Sequence, residues 1–129
     1  MNLAEKYDLY KLNSGGGCLH FGYNTEVADS YWLINDVEED NEPSQQYPTD
    51  ENQLCMFGYS FYDLKDESLY PSIWDILIKN DLRQSFERNS PIEKKDSHAF
   101  FLDTLKNGVP KMKAITEELN TLTRENKHE

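Results

Sequence analysis

No lysine or arginine occurs between Lys11 and Lys65. The intervening residues, 12–64, hold ten acids: Glu26, Asp29, Asp36, Glu38, Glu39, Asp40, Glu42, Asp50, Glu51 and Asp63. The segment therefore carries −10 of the chain's formal −11, while the remainder, with 14 acids and 13 bases, is nearly balanced. Concentrated like charge opposes compaction and repels nucleic acid and anionic membranes. Direct nucleic-acid binding is not expected. The complement of such a field is a basic protein, because opposite potentials steer encounter.

Other absences exclude other functions. No apolar run approaches the ~18 residues of a membrane helix; the densest patches are "YWLI" and "IWDILI". The start, "MNLAEKYDLYKLNSGGG", lacks the basic and apolar regions of a signal peptide, so a cytoplasmic protein is expected. With only two cysteines, Cys18 and Cys55, buried thiols are expected rather than a disulfide. There is no CxxC, no HxxxH and no GK[ST]. The stretch "DVEEDNEPSQQY" lacks the alternating ligands and glycine of a calcium loop. No metal or cofactor is expected.

The triple glycine at 15–17 precedes a strand-like stretch, not the helix a phosphate loop requires, and reads as a turn. Cys18 with His20 or His98 would give a thiol nucleophile and a base. A reactive thiolate needs positive surroundings, however, and residues 12–64 contain no Lys or Arg. A small Cys/His enzyme is the weakest of the readings.

What is present supports a folded domain. The chain has 129 residues with eight Tyr, six Phe and two Trp, enough to bury a core without staples. Residues 2–12 read as a short helix running into a strand. "CLHFGY" (18–23), "VADSYWLI" (27–34) and "QLCMFGYSFYDL" (53–64) read as strands, the first two forming a hairpin turned at "NT". In the third, Cys55, Phe57, Tyr59 and Phe61 share one face, read as core before contact surface.

Three helices follow in the sequence pattern. The first spans 70–87, with Pro71 in its first turn, Ser72 as a cap and the stripe Trp74, Ile78, Leu82, Phe86 widened by Leu77. The second spans 96–108, capped by Asp96 or Ser97 and ended by Gly108. The third spans 109–126, with Pro110 at its first position and the seam Met112, Ile115, Leu119, Leu122. The expectation is one α+β domain, 1–129. A small antiparallel β-sheet from the N-terminal half is packed by two or three helices from the C-terminal half.

Between these strands runs an acidic loop at about 35–52, where Pro43 and Pro48 oppose regular structure. Acidic runs are most often solvated loops, but loops this long in compact domains are usually functional or disordered. The pattern points to a small acidic, non-enzymatic inhibitor or immunity-type protein. It would bind a basic protein partner, such as a nuclease toxin or a phage-defence effector, and block its nucleic-acid site. The expected contact residues are Asp36, Glu38, Glu39, Asp40, Glu42, Asp50 and Glu51, with Tyr31, Trp32, Tyr47 and Tyr59 as candidate aromatic anchors; core packing is the alternative for each of the four, above all for Trp32. The alternative is an adaptor that forms a homodimer through the C-terminal seam.

Overall fold

The computed structural model describes residues 2–13, 19–27, 30–38, 44, 46–62, 69–84 and 96–126. The elements are α1 (Leu3–Lys6), β1 (Tyr10–Asn13), β2 (Leu19–Asn24), β3 (Ser30–Asp36), β4 (Leu54–Tyr62), α2 (Tyr70–Lys79), β5 (Arg83–Gln84), β6 (Asp96–Thr104) and α3 (Leu105–Asn126). All pairings are antiparallel in a six-stranded sheet of order β1-β2-β3-β4-β6-β5. The α+β class and the hairpin of the N-terminal half match the sequence expectation.

Alternation along the strands assigns one face to the core. Trp32 and Ile34 of β3 lie level with Tyr59 and Phe57 of β4, which lie level with Ala99 and Phe101 of β6. All six are buried, and each large side chain so placed contributes ~1.5–3 kcal/mol relative to exposure. Phe57 stacks on Phe101 with centroids 4.7 Å apart, and Trp32 packs on Tyr59 at 4.9 Å. Of the alternate residues, Tyr31, Leu33, Met56, Phe100 and Leu102 are only half-buried.

The face is closed by α3. Met112, Ile115 and Leu119 are fully buried, so these three residues of the C-terminal seam pack on the core, while Leu122, the fourth, is half-buried. Thr116 ties helix to sheet: its Oγ1 accepts from Trp32 Nε1 at 2.9 Å and donates to the Met112 carbonyl at 2.8 Å.

Three expected helix limits are corrected. Residues 96–104 form β6, the strand that completes β4, not a helix. Apolar residues on both faces of this strand, Ala99 and Phe101 on one and Phe100 and Leu102 on the other, hide the alternation. Second, α3 starts at Leu105, five residues before Pro110. Thr104 Oγ1 accepts from the Asn107 N–H at 3.2 Å as a cap. Pro110 therefore lies inside the helix on its exposed side. Gly108 does not end a helix; it admits Phe57. A Cβ there would lie 2.3 Å from Phe57 Cε1.

Third, α2 stops at Lys79 rather than 87. Asp81 adopts a left-handed φ of 65°. The Leu82 N–H donates to the Leu77 carbonyl at 3.0 Å, and the Asp81 N–H to that of Ile78 at 3.0 Å. This is a Schellman ending closed by an aspartate where glycine is usual. Among the described side chains of α2, Ile73 and Leu77 are buried, with Trp74 edge-on to Phe61 at 5.5 Å. Ile78, expected in the stripe, is 64% exposed. The N-cap of α2 is Leu69, which makes no side-chain bond, rather than Ser72.

Candidate functional site

The long connection from β3 to β4 begins and ends at one end of the sheet, because Asp36 is level with Cys55. Gln53 organises it. Its Oε1 accepts from the Asp50 N–H at 2.9 Å and from Thr49 Oγ1 at 3.0 Å, while its Nε2 donates to Asp36 Oδ1. The Asp36 backbone closes the loop, donating to the Gln46 carbonyl at 3.3 Å and accepting from the Ser44 N–H at 2.9 Å. Asp50 holds its own turn, Oδ1 accepting from the Asn52 N–H at 2.9 Å.

Glu51 is fastened from the N-terminus. Its Oε2 accepts from Lys6 Nζ and from Tyr7 Oη, the latter at 2.6 Å. The two bonds, Lys6 first, hold the Glu51 carboxyl below its ordinary range, and the same contact raises the Lys6 and Tyr7 values. The Glu51 carbonyl accepts from the Lys106 N–H at 3.1 Å, which joins the loop to the start of α3. Glu38 and Asp50 are exposed, whereas Asp36 and Glu51 are half-buried.

The expected contact set is thus divided. Asp36, Asp50 and Glu51 are brought to one strand end, and Glu38 follows Asp36 by two residues. Glu39, Asp40 and Glu42 lie outside the described residues, as does Cys18. Tyr59 is corrected: it is fully buried, its hydroxyl pushed up to about 12 by burial, and it cannot anchor a partner. Tyr47 stacks on Phe21 at 5.3 Å under Lys11, at the core's margin. Tyr31 sits level with Ser60 on the other face, five residues from Asp36, or about 17 Å along the strand.

The acidic segment is also less bare of cations than its composition implies. Glu51 receives Lys6, and Glu26 receives Arg124, both from outside the segment. Glu26 lies in the β2–β3 connection, at the other end of the sheet from Asp36. Sequence reasoning had no signal for these pairs, whose partners stand 45 and 98 residues apart.

No known family, curated protein or solved structure matches this chain. The chemistry of the site therefore rests on geometry. Cys55 is buried, and burial with the nearby Asp36 charge pushes its thiol up to about 12, which suppresses the nucleophilic thiolate. His20 Nδ1 lies 2.9 Å from Asn35 Oδ1, and His98 Nδ1 lies 2.8 Å from Ser60 Oγ. These histidines belong to β2 and β6, three strand spacings apart or about 14 Å, and do not form one site. Among the described residues, no group of three or more His, Cys, Asp or Glu is placed to hold a metal ion. None of the described helices is long and apolar enough to cross a membrane.

Proposed function

We propose that this chain is a small acidic inhibitor or immunity-type protein without catalytic activity. It binds a basic protein partner and covers that partner's nucleic-acid site. The observation that supports this reading is the Gln53-centred network, which ties Asp36 to the turn at Thr49 and Asp50, where the Asp50 carboxylate is exposed, as is that of Glu38. Asp36 and Glu51 position the connection; Glu38 and Asp50 meet the partner's cations, standing in for phosphate oxygens. Exposed ion pairs contribute only ~0–1 kcal/mol each, so these carboxylates set encounter rate and choice of partner more than final affinity.

The test is recovery of partners by tagged chain in its native host at low ionic strength. A basic protein whose nucleic-acid binding or cleavage is lost on adding the purified chain is the expected result. Recovery only of neutral or acidic proteins, or of a basic one whose nucleic-acid activity persists in the complex, contradicts the reading.

A further inference from the structure

The sheet uses only one side of α3. Met112, Ile115, Thr116 and Leu119 are buried against it. A second lane of the same helix lines an open groove against α2, of about 620 Å³. Its floor is Ile76 of α2 with Ala114 and Leu122 of α3; Glu117, Glu118 and Glu125 form the wall, and Lys79 faces them. Lys79 pairs with Glu118 and Arg124 with Glu117, which leaves the three carboxylates with a net excess of one negative charge at Glu125. The lane from Ala114 to Glu125 extends about 16 Å, three turns of helix.

We infer that this groove is a docking surface for a basic amphipathic helix of a protein partner. An incoming helix lays apolar side chains at positions i, i+3 and i+4 along such a floor. Its lysines or arginines then meet the glutamate wall. The ion pair already spanning the groove does not close it: Lys79 Nζ stands 2.8 Å from Glu118 Oε2, with the two side chains 64% and 38% exposed. An exposed pair of that kind contributes little, so exchanging Lys79 for a cation of the partner is nearly neutral. Glu117 similarly shares the exposed Arg124 guanidinium at 3.3 Å. The surface is distinct from the strand end around Gln53, which abuts the opposite end of α3 at Lys106. The inference does not depend on the inhibitor reading.

The probe is a synthetic 18-residue helix with leucines at i, i+3, i+4 and i+7 and lysines elsewhere, titrated into the isotopically labelled full chain and followed by amide chemical shifts. The expected result is saturable binding with shifts concentrated in 73–80 and 114–125. Ala114→Arg, at an exposed position, should weaken it at least tenfold. The triple variant Glu117→Gln, Glu118→Gln, Glu125→Gln should weaken it and flatten its salt dependence. Glu38→Gln with Asp50→Asn should leave it unchanged. Shifts centred on the Asp36–Gln53 end, or an affinity indifferent to Ala114→Arg, would overturn the inference. So would equal binding of a leucine–glutamate helix of the same pattern.

Discussion

Gly108→Ala separates two accounts of one glycine by the sign of its effect. In an exposed helical position, the change stabilises by about 1 kcal/mol through helix propensity. Here the new Cβ would lie 2.3 and 2.4 Å from Phe57 Cε1 and Cζ, short of the ~3.5 Å carbon contact distance by more than about 1 Å. Phe57 cannot swing away, being fully buried and stacked on Phe101 at 3° between planes. Overpacking a rigid site costs ~1–3 kcal/mol, and the pinned ring places this case near the upper end. Subtracting the propensity gain leaves a net loss of about 2 kcal/mol. Urea unfolding followed by tryptophan fluorescence measures it. The same substitution in a Phe57→Leu background should cost much less, because the smaller side chain vacates the contact. A stabilised single variant, or an equal loss in both backgrounds, would refute the packing of α3 on β4.

Thr116→Val leaves the buried Trp32 indole N–H without its acceptor; a loss of ~1–3 kcal/mol is expected in the same urea assay. Glu51→Gln reads out linkage. The Glu51 carboxyl is held below its ordinary value of 4.5 in the folded chain, so its contribution is present above that pH and fades as acid titrates the folded carboxylate. The variant should be less stable at pH 7 and lose less on acidification; parallel pH profiles would refute this. In a Cys18→Ser background, Cys55 should resist iodoacetamide at pH 8 until denaturant is added, as a buried thiol pushed up to about 12 requires.

How much of this was legible follows from the range of each interaction. The aromatic face of β4 and the β2–β3 hairpin were readable because period-2 alternation is local. β6 was not, since both its faces carry apolar residues and only pairing with β4 decides its state. The end of α2 was hidden by Asp81 in a conformation that sequence rules assign to glycine. Gly108 was misread because a close approach to Phe57 and a helix stop both select glycine. At the candidate site, the clustering of Asp36, Asp50 and Glu51 followed from two strands bounding one connection. The cations that compensate Glu26 and Glu51 did not, because Arg124 and Lys6 arrive from elements at the two ends of the chain. Composition records charge along the sequence, whereas folding rearranges it in space.

In the proposed mode of binding, the exposed carboxylates of Glu38 and Asp50 accelerate capture of a basic protein. The most direct measurement is the association rate of wild type and of Glu38→Gln with Asp50→Asn against that partner across ionic strength. The conservative Asn at 50 retains the side-chain oxygen that caps its turn. The account predicts a several-fold slower on-rate for the variant at low salt, with the two curves converging as the screening length contracts below ~8 Å. Superimposable on-rates at every ionic strength would contradict it.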